Sequence, residues 1–424
     1  MPEPELEWAP RRRRRWVSVA GAVVIVALLA ASVAAAWTSV DEADTDALPA
    51  PSSADGPGDE DSGSEPAGPA TEAELRSAVD EISAIVESER GLAFTEPVHV
   101  ELAGEGEFQR RLLEDFDEGV EELRETEVLL KAFGLVEPDV DLVEAMRTLL
   151  GAGVVGFYDP ETDELVVRGT ALTPYVRTTI AHELTHALDD QRFDLDRPEY
   201  DDADDEIDFG FSALVEGNAR RVEDAYLAGL SDQEQLDAAA EELSLGSGID
   251  LGDVPLVLVD LISAPYGLGH DFVDELIDDG GQEALDAAFG APPRTSEQVI
   301  DPATYKAGEG GIAVPVPAVA GQVVDEGVAG QFLIQVVLAG PLDADRAREA
   351  AGGWGGDRVV AWRDGERPCA TLAAVGDDPS ETAELRGAFE DWADERGATG
   401  TGTGPDVTIA STGDGPVTVQ ACAS

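Results

Sequence analysis

The sequence predicts an α+β fold that is mostly helical, with a small antiparallel sheet ahead of one central helix. Between residues 71 and 150 the apolar residues recur at helical spacing. Two β-rich runs, 154–158 and 164–168, are joined by Asp159-Pro160-Glu161-Thr162-Asp163, which predicts a hairpin. Helical patterns continue to about residue 350, and alternating runs after residue 357 predict a small α/β subdomain with antiparallel strands.

Acidic residues dominate the charge of the chain. Its 424 residues include 89 Asp and Glu against 27 Lys and Arg, and the formal net charge is -62. Such an excess keeps a protein hydrated and argues against binding nucleic acid through the bulk of the surface. We therefore expect no nucleic-acid partner, and the length allows two or three domains.

The N-terminal 40 residues have the pattern of a membrane signal anchor. Five arginines at 11–15 precede an uncharged stretch, 16–40, that is long enough to cross a bilayer. The positive-inside rule predicts that residues 1–15 form a cytoplasmic tail, that 16–40 form a single transmembrane helix, and that the rest lies outside the cytoplasm. The alternative is a cleaved signal, because Ala34 and Ala36 offer a small-x-small site, and the protein would then be secreted.

The remaining chain divides into a tether and two folded parts. Residues 41–70 are rich in Asp, Glu, Pro, Ser and Gly and predict a disordered acidic linker. Residues 71–350 predict the main domain, and 351–424 predict the C-terminal subdomain. Outside the cytoplasm we expect Cys369 and Cys422 to form a disulfide, and the alternative is two unrelated buried thiols.

A His-Glu-x-x-His sequence lies inside the central helix, which Thr173 and Pro174 should begin and which should end near residue 190. His182 and His186 are four residues apart, so they share one face of the helix and can direct two imidazole nitrogens at one point. Glu183 lies about 100° round the helix, where its carboxylate can reach a metal-bound water without acting as a ligand. The pattern predicts two zinc ligands and a general base; the alternative is two ordinary helix histidines.

A zinc site that leaves one position to water needs a third protein ligand. Glu216 is the candidate, because it lies in the middle of a second predicted helix, about 206–230, among small and apolar residues where an unpaired carboxylate is costly. Gly217 beside it lowers helix stability by about 1 kcal/mol unless close packing requires it. The alternative for Glu216 is a surface glutamate. His99 falls in a short extended interruption and is expected to be an ordinary strand or surface histidine.

These residues resemble the gluzincin class of zinc metallopeptidases, which has HExxH on one helix and a ligand glutamate on the next. Five segments between roughly residues 150 and 365 are also similar to a little-characterised group of exported bacterial gluzincin-like proteins: 156–160, 182–191, 214–218, 292–298 and 354–358. The resemblance implies a zincin-like core in which Zn2+ is held by His182, His186 and Glu216. It also implies that Glu183 is the general base.

One position departs from that family. Many gluzincins have an aspartate four residues after the ligand glutamate, where it orients a zinc-bound histidine, and this chain has Arg220 there. We expect Asp190, one turn after His186, to take over this role. The alternative is that Asp190 is a solvated residue at the helix end.

A peptidase also needs a donor to the oxyanion that forms when water attacks the peptide carbonyl. His270, Tyr266 and Tyr305 are the candidates, and His270 is placed first because no other histidine remains in this region. Tyr266 to His270 is also expected to break residues 253–280 into two helices. The alternative role for each candidate is packing.

Together these features predict a membrane-anchored, extracytoplasmic zinc metallopeptidase that hydrolyses peptide bonds through a zinc-bound water. Its substrates would be peptides or proteins, and strand 164–168, just before the metal helix, is the expected sheet edge for an extended peptide. Two alternatives remain: a non-catalytic exported zinc-binding or interaction protein, and a zinc amidohydrolase that acts on a non-peptide amide of the cell wall.

Overall fold

Helices form most of the described chain. The computed structural model describes residues 68–114, 116–201, 203, 205–248, 252, 254–398, 406–411 and 415–423, together with the backbone of residues 23–26. The helices are α1 Glu72–Arg90, α2 Glu105–Leu112, α3 Val120–Phe133, α4 Leu142–Gly153, α5 Pro174–Phe193, α6 Pro198–Asp201, α7 Ile207–Gly229, α8 Asp232–Gly248, α9 Leu256–Gly290, α10 Ser296–Ile300, α11 Pro302–Ala307, α12 Gly330–Ala339, α13 Ala344–Ala351 and α14 Pro379–Ala398. The strands are β1 Val23–Val26, β2 Val100–Ala103, β3 Val154–Asp159, β4 Glu164–Arg168, β5 Gln322–Gly327, β6 Trp354–Asp364, β7 Arg367–Gly376, β8 Asp406–Ser411 and β9 Val417–Cys422. This mixture of helices with two small sheets confirms the predicted α+β class.

The N-terminal segment is described at one place only. Val23–Val26 form strand β1, which pairs antiparallel with β3, so these four residues are a strand where the sequence predicts part of a transmembrane helix. Their β-branched side chains favour extended backbone, and the pairing satisfies one edge of β3. The rest of the predicted helix 16–40, the predicted tail 1–15 and the linker up to residue 67 lie outside the described residues.

The first sheet has the strand order β1-β3-β4-β2. β3 and β4 form the predicted hairpin, in which Phe157 lies opposite Val166. The prediction that strand 164–168 is a sheet edge is wrong, because β2 pairs with β4 in parallel and Val100 lies opposite Leu165. From the sequence, the residues near His99 are expected only to interrupt the helices. No local pattern there indicates that they form a strand paired with β4, more than 60 residues later.

Helix α5, which carries the HExxH sequence, is enclosed on several sides. Its residues Ile180, Leu184 and Leu188 share one core with apolar residues of the first sheet, α1 and α7, which include Val100, Leu165, Val167, Ile82, Val86, Val222 and Tyr226. All of its residues from Thr178 to Asp189 are buried. A helix that is buried all round places its polar residues in the interior, where each needs a partner.

Helices α7 and α9 pack with their backbones in contact. A Cβ built on Gly217 would lie 2.1 Å from the backbone of Gly269, and one built on Gly269 would lie 1.9 Å from the carbonyl oxygen of Ala213. Close packing therefore requires glycine at both positions, as expected for Gly217. The predicted break at 266–270 is wrong, because α9 is helical there and its non-helical backbone lies at Gly281. Gly269, one of the residues that suggested a break, serves the helix contact instead.

Helix α9 is also long and apolar enough to cross a membrane, by length and composition alone. Buried helices of soluble proteins share this property. In this protein α9 packs along α7, and Phe272, Val273 and Leu276 belong to the core that it shares with Leu214 and Val215. Packing inside the protein accounts for the part of its apolar window that is buried, which is 39%.

The second sheet is antiparallel and has the order β5-β6-β7-β9-β8. The disulfide Cys369–Cys422 joins β7 to β9, where the two cysteines lie opposite each other, and this confirms the predicted pairing. Residues of α3, α12 and α14 pack in one core with β6, β7 and β9. Since β5 belongs to this sheet, the boundary expected at residue 351 falls inside the C-terminal unit.

The segments 292–298 and 354–358 hold the starts of two helices, α7 and α12, by hydrogen bonds. The backbone N–H of Ser296 donates to Glu206 Oε2 at 3.0 Å. The Asp357 carboxylate accepts from the N–H of Gly330 at 2.9 Å and from the indole of Trp354 at 3.0 Å, so it holds the start of α12. These contacts give both segments a structural role.

Candidate metal centre

The metal helix begins where the sequence predicts. The hydroxyl of Thr173 accepts from the N–H of Val176 at 3.2 Å, and the helix continues to Phe193, three residues beyond the expected end. His182, Glu183 and His186 are each 0% exposed. The HExxH motif is therefore buried in the protein, and its two histidines are not surface residues.

Glu216 lies beside the two histidines. Its Oε2 atom is 3.2 Å from Nε2 of His182 and 3.5 Å from Nε2 of His186. One ligand atom from each of the three residues lies within 4.8 Å of the others, and all three side chains are buried. Helices α5 and α7 thus bring together the three residues that the sequence predicts as ligands.

The polar atoms of this cluster fit a divalent metal. In the described part of the chain, no side chain donates a hydrogen bond to the buried carboxylate of Glu183, which has the backbone N–H of Tyr158 nearby, and Nε2 of His186 faces Glu216 Oε2 at 3.5 Å. Unpaired buried polar atoms are costly, and a cation with a water molecule would satisfy them. Two imidazoles and one carboxylate are a donor set typical of catalytic zinc.

The local charge also favours a cation. Burial lowers the pKa of His182, but hydrogen bonds to Glu216 and Glu223 outweigh it and raise that pKa to about 10. Burial lowers the pKa of His186. Carboxylates therefore dominate at His182, where a metal ion would take the place of a proton, while burial keeps His186 in the neutral form that a metal binds.

Glu183 is positioned by the neighbouring strand. A Cβ on Gly156 of β3 would lie 2.8 Å from Glu183 Oε1 and 2.7 Å from the Thr179 side chain, so glycine is required where β3 passes the base. Burial raises the pKa of Glu183, and the charges of Glu216 and Glu223 add to that effect. A metal cation close by would lower the pKa of Glu183.

Of the three expected oxyanion donors, Tyr266 lies at the triad. Its hydroxyl donates to Glu216 Oε1 at 3.0 Å, and its ring is stacked 6.3 Å from that of His182. His270 instead pairs with Asp224, with Nε2 3.4 Å from Oδ2, and Tyr305 donates to the carbonyl of Ala291. Among the described residues no hydrogen bond or ion pair joins either of them to the triad.

The structure corrects this ranking of His270 above Tyr266. Tyr266 and His270 are four residues apart on α9, about 40° round the helix. The sequence does not reveal which of them faces α7. The contact of Gly217 with Gly269 fixes the rotation of α9 and turns Tyr266 toward Glu216.

Asp190 does not orient a histidine, so its expected role is wrong. It accepts from the hydroxyl of Tyr158 at 2.7 Å and from the N–H of Leu195 at 2.7 Å, and it ties the hairpin to the end of α5. The carboxylate at the imidazole is Glu223, whose Oε2 lies 2.9 Å from Nδ1 of His182. The available signal was spacing, because residues seven apart share one helix face and Glu223 is seven after Glu216.

The end of the metal helix is anchored by a buried ion pair. Asp189 binds Arg90 of α1, with 2.7 Å between Oδ1 and NH2, and both side chains are 0% exposed. Its second oxygen accepts from the amide of Asn218 at 2.5 Å. The ion pair links α5 to α1. The hydrogen bond from Asn218, a residue of the segment 214–218, links α5 to α7.

Comparisons with known proteins concern the C-terminal unit. Residues 315–422 match a family described as "Domain of unknown function (DUF8575)". This stretch includes β5 to β9 and lies wholly after the metal triad. Neither curated proteins nor solved structures give a significant match to the chain. The argument for function therefore depends on the metal centre.

Proposed function

We propose that this protein is a zinc-dependent metallopeptidase of gluzincin type, anchored in the membrane with its catalytic domain outside the cytoplasm. One observation carries the proposal. His182, His186 and Glu216 converge in the interior, and Glu183 lies beside them with its carboxylate buried and without a side-chain hydrogen bond among the described residues. A buried acid next to a three-residue donor set is the arrangement that metal-assisted hydrolysis needs.

The metal triad, Glu183 and Tyr266 each have one role in the proposed reaction. His182, His186 and Glu216 would hold the zinc ion, which when bound would act as a Lewis acid and make a water molecule reactive near neutral pH. Glu183 accepts the proton of the attacking water as the new C–O bond forms, and it passes this proton to the amine that leaves as the C–N bond breaks. Tyr266, whose hydroxyl donates to Glu216 Oε1 in the structure, would give up this hydrogen bond to donate to the developing oxyanion.

The strand beside the base is β3, since Gly156 contacts Glu183. An extended peptide that adds to the first sheet near the base would pair with the outer edge of β3. Val23–Val26 occupy that edge in the structure, so the proposed membrane anchoring requires this segment to leave β3, and its departure would free the same edge for a peptide.

The proposal is tested on the full-length chain in detergent. Zinc content and cleavage of a broad peptide library are measured for wild type, Glu183→Gln and His186→Ala. We expect wild type to contain about one zinc ion and to cleave peptides, Glu183→Gln to keep the zinc but lose turnover by at least about a thousandfold, and His186→Ala to lose both. Full activity of Glu183→Gln would refute the mechanism.

The same assay separates the alternatives. Zinc bound by wild type without cleavage of any peptide would favour a non-catalytic metal-binding protein. Cleavage of a cell-wall amide in place of peptides, lost again in Glu183→Gln, would favour an amidohydrolase. Absence of bound metal at high zinc concentration would refute the whole group of functions.

A further inference from the structure

Helix α7 carries a line of charged side chains that starts at the metal triad. Glu216, Arg220 and Glu223 are four and three residues apart, so they follow one face of the helix. Arg220 occupies the position at which the resembling family has its histidine-orienting aspartate. The positively charged Arg220 therefore lies close to the metal triad among carboxylates of α7, and a cationic side chain at this place needs an explanation.

We propose that Arg220 is a positioning residue, which holds the Glu223 carboxylate against His182 and thereby fixes the direction in which the imidazole presents Nε2. The proposal rests on the metal site proposed above and adds to it the residue that makes up for the missing aspartate. Arg220 acts here through Glu223 and is assigned no contact with the metal or the substrate.

The contacts of Glu223 support this role. One oxygen, Oε2, lies 2.9 Å from Nδ1 of His182, and the other, Oε1, lies 3.6 Å from NH1 of Arg220. Among the described residues its ion pairs are with these two side chains. The Glu223 side chain is 16% exposed, so water contributes little to its orientation. Its direction is consequently set by a histidine on one side and a guanidinium on the other.

Arg220 is itself held in place. Its NH2 lies 3.1 Å from Oδ1 of Asp224, so the guanidinium lies between two carboxylates of the same helix. The charge of Glu223 raises the pKa of Arg220, although burial opposes this, and Asp224 adds to the increase. A planar guanidinium between two acids has few alternative positions, and it can fix the acid that it contacts.

Without Arg220, the remaining ion pair of Glu223 among the described residues would be the one with His182. Glu242 of α8 is also acidic, and after the larger effect of burial the charges of Glu223 and Asp224 raise its pKa. A glutamate released from its guanidinium would turn away from Asp224 and Glu242 toward solvent. His182 would then lose the hydrogen bond that selects its tautomer and ring direction.

A purely local role for Arg220 is the competing explanation. Ion pairs at helix spacings of three and four residues stabilise a helix by about 0.3–0.5 kcal/mol without any effect on a metal. Arg110 of α2 is a matched control, because it pairs with Glu107 at 2.7 Å and Glu114 at 2.9 Å. It has the same two spacings, and neither partner belongs to the metal centre.

The experiment uses the full-length chain and four variants: Arg220→Gln, Arg220→Lys, Glu223→Gln and the control Arg110→Gln. Zinc affinity is measured by competition with a chelator, and the visible absorption spectrum of the Co2+-substituted protein reports the ligand geometry. Thermal unfolding of each metal-free protein records the structural effect separately. The double variant Arg220→Gln with Glu223→Gln completes a mutant cycle.

We expect Glu223→Gln to weaken zinc binding by about 10- to 100-fold and Arg220→Gln by about 3- to 10-fold, with altered Co2+ spectra in both. Arg220→Lys should recover part of the affinity, and Arg110→Gln should leave affinity and spectrum unchanged. Because Arg220 acts through Glu223, the double variant should bind zinc no more weakly than Glu223→Gln alone.

Several results would overturn the proposal. An unchanged affinity and spectrum in Arg220→Gln, with Glu223→Gln impaired, would leave Arg220 as a surface ion pair. Additive losses in the double variant would mean that Arg220 acts by another route. If wild type binds neither Zn2+ nor Co2+, the metal site itself fails and this inference fails with it, whereas binding without peptidase activity rejects only the proposed catalysis.

Discussion

The contact between α7 and α9 gives a sharp prediction, because two glycines of α9 differ only in their surroundings. A Cβ on Gly269 would lie 1.9 Å from the carbonyl oxygen of Ala213, while a Cβ on Gly267 would have no heavy atom within 4 Å. Both residues are inside the same helix. The pair Gly269→Ala and Gly267→Ala therefore separates the effect of the helix contact from the effect of the substitution itself.

The geometry sets the size of the effect. An ordinary contact distance of about 3.4 Å requires the two backbones to separate by about 1.5 Å. Overpacking of this kind destabilises a protein by about 1–3 kcal/mol, whereas alanine in place of a helical glycine stabilises by up to about 1 kcal/mol. Both variants gain the same stabilisation from alanine in place of a helical glycine. The free energy of unfolding of Gly269→Ala should therefore lie about 1–3 kcal/mol below that of Gly267→Ala.

The same displacement should reach the metal centre. Tyr266 is three residues from Gly269, and its hydroxyl is 3.0 Å from Glu216 Oε1, so a shift of about 1.5 Å breaks this hydrogen bond. Urea unfolding and chelator competition measure the two effects in the same pair of proteins. Equal stability and equal zinc affinity of the two variants would refute the close approach of α7 and α9.

Two further predictions concern buried charges. Burial raises the pKa of Glu206 to about 8 against 4.5 for a free glutamate, with a contribution from Asp357. The folded protein therefore binds this proton more tightly than the unfolded chain, and wild type should lose up to ~1.4 kcal/mol of stability per pH unit between about pH 5 and 8. Glu206→Gln should remove this component in urea unfolding at pH 5 to 9, and parallel curves for the two proteins would contradict it. Arg90→Met leaves the Asp189 charge unpaired and should lower the free energy of unfolding by about 3–5 kcal/mol, part of which Asp189→Asn in the same chain should restore. A loss below about 1 kcal/mol in denaturant unfolding would show that the pair is not buried as described.

Local patterns in the sequence predict the secondary structure well where periodicity is strong. The hairpin β3–β4, the start of α5 and the extent of α7 all follow from residue alternation, helix periodicity and capping. The pairing of β4 with β2 on its second edge could not be predicted in this way. Its neighbour β2 comes from a short run after His99, and parallel pairing between distant segments leaves no local mark in either of them.

The second set of differences lies around the metal residues. The sequence offered Asp190 and His270 as supporting groups because each has suitable chemistry and lies close in sequence to the motif or within the predicted domain. Tyr158 binds Asp190 and Asp224 binds His270, so both are engaged elsewhere. The side chains that reach the triad are instead Glu223, which bonds His182, and Tyr266, which bonds Glu216. Which of several suitable side chains reaches a site depends on helix rotation and separation, which packing determines.

The sequence by itself determined that His182 and His186 share a helix face, because a pitch of 3.6 residues brings residues four apart together in any fold. It also indicated Glu216, since a carboxylate among apolar residues needs a partner in the interior. Only the tertiary structure decided what surrounds these three residues. Gly156 lets β3 pass close to Glu183 of α5, and Gly217 and Gly269 let the backbones of α7 and α9 meet, which turns Tyr266 toward the candidate metal centre.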